Sequence, residues 1–218
     1  MSTVFDCGDP DSRSAGIRTA VGAAKAGRLV VLPTDTLYGI GCDAFDSEAV
    51  ADLLAAKGRG RDMPVPVLVG SWHTIDGLVR SMSTGARDLV EAFWPGALSI
   101  VVEQAPSLAW DLGDADGTVM LRMPLQPVAI ELLREVGPMA VSSANVSGRA
   151  PATTVDEARE QLGDKITVYL DGGPAAVAQP STIIDLTDTR PRILRSGAVS
   201  TEAIAEVLGL DPAVLTGG

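Results

Sequence analysis

The 218-residue sequence predicts an α/β fold: a single domain with a twisted, mixed parallel and antiparallel sheet flanked by helices. Three observations predict it. Short apolar runs alternate with stretches of helical spacing along the chain. The last two apolar runs, on either side of Asp188 to Pro191, read as a hairpin, which makes the sheet mixed. No repeat and no linker-like tract divides the chain, because its 23 glycines and 14 prolines are scattered among loops.

Residues 13–28 read as a helix capped by Asp11 or Ser12, with Ile17, Ala20, Val21 and Ala24 at helical spacing. Leu29 to Leu32 reads as a buried strand that Pro33 ends. A polar loop follows, and Asp46 and Ser47 start a helix carrying Val50, Leu53 and Leu54. Val65 to Val69 is a strand, and Ser83 to Trp94 is a helix stopped by Pro95-Gly96. Strands at Leu98 to Glu103 and Thr118 to Arg122 lead to a helix over Pro127 to Val136, and Met139 to Ser142 is the next strand. Thr154 caps a helix with Asp156 and Glu157 in its first turn, where carboxylates suit the dipole. Strands at Thr167 to Leu170, Thr182 to Leu186 and Ile193 to Arg195 follow. Ser200 or Thr201 caps a last helix that ends at Gly209. Residues 1–12 read as an N-terminal extension, 13–208 as the domain, and 209–218 as a loose tail.

Composition excludes several classes of function. Hydrophobic residues are 46% and charged residues 21%, so the chain can bury a core and is not disordered. No apolar run reaches the roughly 18 residues of a membrane span, and the polar N-terminus is no secretion signal. These features predict a cytoplasmic chain without a membrane partner. The net charge of -11 argues against strong direct nucleic-acid binding, so any anion site must be a local basic cluster. Two cysteines and one histidine supply neither a zinc site nor a redox pair. No GxSxG elbow accompanies His73, which is expected on a helix surface beside Trp72.

Polar residues gather in five segments at strand ends, where open α/β sheets place ligands. Thr34, Asp35, Thr36 and Tyr38 leave the first buried strand together, as a Ser/Thr turn or as a site. Lys57, Arg59 and Arg61, spaced by glycines, form either a phosphate grip or a solvated basic helix end. Arg122 closes the run that Thr118 opens, and it either snorkels or faces a site. Ser142, Ser143, Asn145 and Arg149 follow another core strand, as an anion nest or as a polar loop. Ser181 or Thr182 opens a late strand and Arg195 closes the next, which turn chemistry also explains. Neither GxxxxGK[ST] nor GxGxxG is present. Hydroxyls, amides and cations without an acid–base carboxylate pair suit phosphoryl or nucleotidyl transfer, where positioning and charge carry the rate.

Taken in order, LPTDTLYGIGCDA, KGRGRDMPVPVLV, WPGALSIVV, LRMP, VSSANVSGRAPAT, PSTIID and ILRSGAVS resemble the YrdC-like threonylcarbamoyl-AMP synthases from about residue 13 to about residue 205. The resemblance implies a concave basic cavity on the sheet. It implies joining of L-threonine, bicarbonate and ATP into L-threonylcarbamoyl-AMP, with release of pyrophosphate, for modification of tRNA. Thr34, Arg122 and Ser181 would lie at threonine. Lys57 and Arg59 would be catalytic, holding the phosphates with Arg61. Thr118, Ser142, Ser143, Asn145, Arg149 and Arg195 would complete the ATP site. Mg²⁺ would accompany ATP, and a downstream tRNA threonylcarbamoyl transferase complex would be the partner that takes the product. Threonine carbamate and ATP are both anions, and at 4 Å near a protein surface each like pair costs about 4 kcal/mol, which the cations would offset.

Two departures stand out. Many relatives have proline at Gly60 and a histidine a few residues after Pro64, where this chain reads Val65-Pro66-Val67-Leu68-Val69. Long family members carry a further C-terminal domain, and the chain ending at Gly218 is expected to be a short form. The competing readings are a same-fold paralogue with another substrate or none, and an RNA-binding module.

Overall fold

Ten strands form one sheet in the computed structural model, which describes residues 2–217. They are β1 (Thr3–Asp6), β2 (Val30–Leu32), β3 (Gly39–Asp43), β4 (Val67–Leu68), β5 (Leu98–Glu103), β6 (Thr118–Arg122), β7 (Met139–Ser143), β8 (Val168–Asp171), β9 (Thr182–Asp185) and β10 (Arg192–Arg195). The helices are α1 (Pro10–Lys25), α2 (Ser47–Lys57), α3 (Thr84–Phe93), α4 (Pro127–Val136), α5 (Val155–Leu162), α6 (Thr201–Leu208) and α7 (Pro212–Thr216). The strand order is β1-β8-β2-β3-β7-β4-β6-β5-β9-β10. Pairs such as β1 with β8 and β5 with β9 are parallel, while β3 with β7 and β5 with β6 are antiparallel. The mixed sheet and the β9–β10 hairpin agree with the sequence reading.

Two apolar clusters sandwich this sheet. One gathers the inner faces of α2, α3, α5 and α6, and the other those of α1 and α4. Strand β2, Val-Val-Leu, is buried throughout because both its faces are covered. Leu68 and Val141 belong to the α1/α4 cluster and also line a cleft, so the cleft opens on the face those two helices only partly cover.

The structure corrects five sequence expectations. Residues 3–6 are no extension: they form β1, the edge strand paired with β8. Helix α1 starts at Pro10 because Asp9 caps it, its carboxylate accepting the Ser12 N–H at 2.8 Å. The loop after Pro33 contains β3, which joins β2 to β7. Its apolar pattern is hidden by glycine: a Cβ at Gly39 would sit 2.6 Å from Val141 Cγ1, so the close approach of β3 to β7 needs no side chain there. The residues past Gly209 are not a loose tail. Asp211 caps α7, and Leu215 is fully buried; Gly218 lies outside the described residues. Strand β4 is also shorter than expected, since Pro64 and Pro66 cannot donate to a ladder.

Candidate active site

The cleft is built by consecutive strand ends on one sheet face and encloses a volume of about 250 Å³. Among the described residues three guanidinium groups line it, those of Arg59, Arg122 and Arg195, and no carboxylate does. A chain with a net charge of -11 thus carries a local cationic site.

Helix α2 delivers the first group. Gly58 takes the left-handed conformation at φ +63°, which ends the helix and turns Arg59 toward the sheet. Arg59 Nη1 donates to Ser142 Oγ at 3.2 Å and Nη2 to the Pro64 carbonyl at 3.4 Å. Its Nε is buried and has no partner among the described residues. Both bonds are long, so much of this guanidinium's donor capacity is uncommitted beside the cleft.

Lys57 points the other way. It is buried behind the loop after β7, where its Nζ donates to the carbonyls of Ser143 and Asn145 and to Asn145 Oδ1. Ser143 Oγ donates to the same Oδ1 at 2.6 Å, and Asn145 Nδ2 donates to the Val146 and Arg149 carbonyls. Lys57 and Asn145 therefore shape the loop from inside, while Ser142 and Ser143 line the cleft. Burial, followed by the nearby Arg59 charge, lowers the Lys57 ammonium to about 8. Between pH 8 and the ordinary lysine value the unfolded chain binds a proton that the folded chain lacks, so stability from this group rises with pH. Urea unfolding should show wild type gaining on Lys57→Met across that window; a flat difference would mean that Lys57 is not perturbed.

Arg122 ends β6 at the other side of the cleft and is 6% exposed. Nη2 pairs with Asp35 Oδ1 at 2.5 Å, Nη1 donates to Thr36 Oγ1 at 2.8 Å, and Nε donates to the Gly96 carbonyl at 2.8 Å. Three of five N–H groups are engaged and two remain for a ligand. Asp35 also accepts the Leu125 N–H at 3.0 Å. Thr34 lines the cleft as the hinge of the same turn, accepting from the backbone of Thr36 and Leu37. Tyr38 fixes the turn's far end, donating to the Gly173 carbonyl at 2.6 Å, and burial pushes its phenol well above the usual range. At the third corner, Arg195 Nε and Nη2 donate to the Ser181 carbonyl, and Ser181 Oγ lies 2.9 Å from Ser99 Oγ. Thr182 faces away from the cleft and donates to the Val199 carbonyl.

Thus the structure brings Thr34, Arg59, Arg122, Ser142, Ser143, Ser181 and Arg195 to one cleft. Five other candidates lie outside its wall: Lys57 and Asn145, behind the loop after β7, and three more. Arg61 is half-exposed and holds Asp111 in a two-pronged ion pair, with Asp114 beside it. Thr118 donates to the Ala115 carbonyl, and Arg149 is exposed, 4.0 Å from Glu160. His73 sits beside Trp72 on a short 3₁₀ turn, away from the cleft, and Pro66 lines the wall instead. Asp35 and Thr36, members of the first polar segment, join the site through Arg122, and Ser99 is a site residue that no segment included. The signal for Ser99 was present, as a lone hydroxyl within an apolar strand.

Fold and cleft together define an α/β protein with an anion-binding pocket at its strand ends. The profile of the Sua5/YciO/YrdC family, described as telomere recombination, matches residues 22–197, and the chain belongs to that family. A Mycobacterium tuberculosis protein provisionally named threonylcarbamoyl-AMP synthase is 71% identical over 217 residues, covering 100% of both chains. The threonylcarbamoyl-AMP synthase of Pyrococcus abyssi is 35% identical over 202 residues; the match spans 91% of this chain and 59% of that one. The crystal structure of P. abyssi Sua5 complexed with L-threonine superposes with a TM-score of 0.89 at 32% identity, covering 98% of this chain and 63% of that one.

Proposed function

We propose that this chain is an L-threonylcarbamoyl-AMP synthase, which joins L-threonine, bicarbonate and ATP and releases pyrophosphate. The observation that carries the reading is the cleft itself: three guanidinium groups among small hydroxyls, with no carboxylate or histidine in the wall among the described residues. The similarity to proteins of that name, and to one bound to L-threonine, supports it.

In this reading the threonine amine adds to bicarbonate and water leaves, giving the carbamate. A carbamate oxygen then forms a bond to the α-phosphorus of ATP, and the bond from that phosphorus to the β-phosphate oxygen breaks. The attacking oxygen is already anionic, so no strong base is required. Arg122 holds the threonine carboxylate with its two remaining N–H groups, and Thr34 and Ser181 border the same end. Arg59 and Ser142 face the phosphates, where charge accumulates as pyrophosphate leaves. Lys57 and Asn145 keep the Ser142-Ser143 loop in place from behind, and Arg195 borders the nucleotide at the rim. Contacts from Arg61, Thr118 and Arg149 to ATP would need those side chains to exchange the partners they hold here.

Among the described residues no group of three or more His, Cys, Asp or Glu side chains converges to hold a metal. In this reading Mg²⁺ would enter with ATP as part of the substrate, carried by the phosphates, whose charge it would reduce. Among the described residues no helix is long and apolar enough to cross a membrane. The reading places the chain in the cytoplasm, with its product passing to a tRNA threonylcarbamoyl transferase complex. Incubation with ATP, L-threonine and isotopically labelled bicarbonate tests it. Mass spectrometry should find the label in a threonylcarbamoyl adenylate, and an unlabelled adenylate would contradict the reading.

A further inference from the structure

We infer that Ser99 determines amino-acid specificity, reading the β-hydroxyl of threonine through the hydroxyl pair it forms with Ser181. The inference rests on the threonine reading above. Ser99 is the second residue of β5, Leu-Ser-Ile-Val-Val-Glu, and is 3% exposed. A hydroxyl in such a place is destabilising unless it is hydrogen-bonded.

Its partner is Ser181 Oγ at 2.9 Å, which also accepts from Arg195 Nη2 at 3.1 Å. The two hydroxyls carry two protons. One spans the pair; the other has no acceptor among the described residues. The pair therefore offers the cleft one O–H donor together with unused acceptor capacity.

The neighbours supply the rest of a threonine site. Ile100 faces Leu121 in the β5–β6 ladder, so the next step along sets Ser99 beside Arg122 on the same face. Ser99 faces Ile183 on β9, and Arg122 faces Leu68 on β4. Both apolar residues line the cleft, as does Met120. A guanidinium with two free N–H groups, a free hydroxyl and an aliphatic wall are thus grouped on one sheet face. They match the carboxylate, hydroxyl and methyl of threonine. A site built to bond a substrate hydroxyl strongly rejects the analogue that lacks it, because its own polar groups are then left unpaired.

The test compares L-threonine with L-2-aminobutyrate, which replaces the hydroxyl by hydrogen, using the full chain and pyrophosphate release. Ser99→Ala should lower kcat/KM for threonine by about tenfold or more and leave that for aminobutyrate within about twofold. Ser99→Cys, nearly isosteric with a weaker donor, should fall between. An equal loss for both amino acids, or an unchanged ratio, would overturn the inference while the threonine reading stands. Wild type without any amino-acid dependence would overturn both.

Discussion

Arg59→Ala is expected to lower threonine-dependent turnover by about 10²- to 10³-fold while the chain stays folded. The factor is that of removing one preorganised donor at developing charge. The reason for the split is in the contacts. Arg59 makes only two long hydrogen bonds, to Ser142 Oγ and the Pro64 carbonyl, and its buried Nε makes none. Removing it takes away an orphaned donor, so the stability change should stay within about 1 kcal/mol. Urea unfolding and pyrophosphate release on the same preparation check both halves. Full activity, or loss that follows unfolding, would show that the free guanidinium does not serve the reaction.

Arg122→Ala is expected to behave in the opposite way and lose both properties. Arg122 and Asp35 are both nearly buried, and removal of one leaves the other uncompensated, at about 3–5 kcal/mol. The double variant Arg122→Met with Asp35→Leu removes the stranded charge and should recover much of that stability without recovering threonine use. Arg122→Lys keeps the charge but loses the planar fork, and should raise KM for threonine while leaving KM for ATP within about twofold. Equal shifts in both would place Arg122 in the scaffold only.

Most elements were legible because their side chains report their surroundings. Val30 to Leu32 is apolar on both faces, and Thr154 with Glu157 writes a helix start that the structure shows as a complete capping box. Strand β3 was not legible: glycine occupies the position where Val141 approaches, which erases the apolar alternation. Strand β1 is an edge with one partner and three exposed residues of four, so it carries little pattern.

The site follows the same logic. Residues of five segments were expected to gather, and the structure brings members of all five to one cleft. Sequence could not separate the side chains that face the cleft from those that brace it. Lys57 and Arg59 are two residues apart across a helix end, and the left-handed turn at Gly58 sends one inward and the other to the cleft. Nor could it show that Arg61 is held by Asp111, fifty positions away in sequence. The Asp35–Arg122 pair joins two segments that each looked ambiguous alone, and only their contact makes one site of them.

The most direct test of the central claim is pyrophosphate release from ATP and bicarbonate, measured with and without L-threonine. Release that depends strongly on threonine, and that Arg59→Ala lowers by about 10²- to 10³-fold, is the expected result. Release independent of threonine, or none with all three substrates present, would contradict the synthase reading while leaving the fold and the family unchanged.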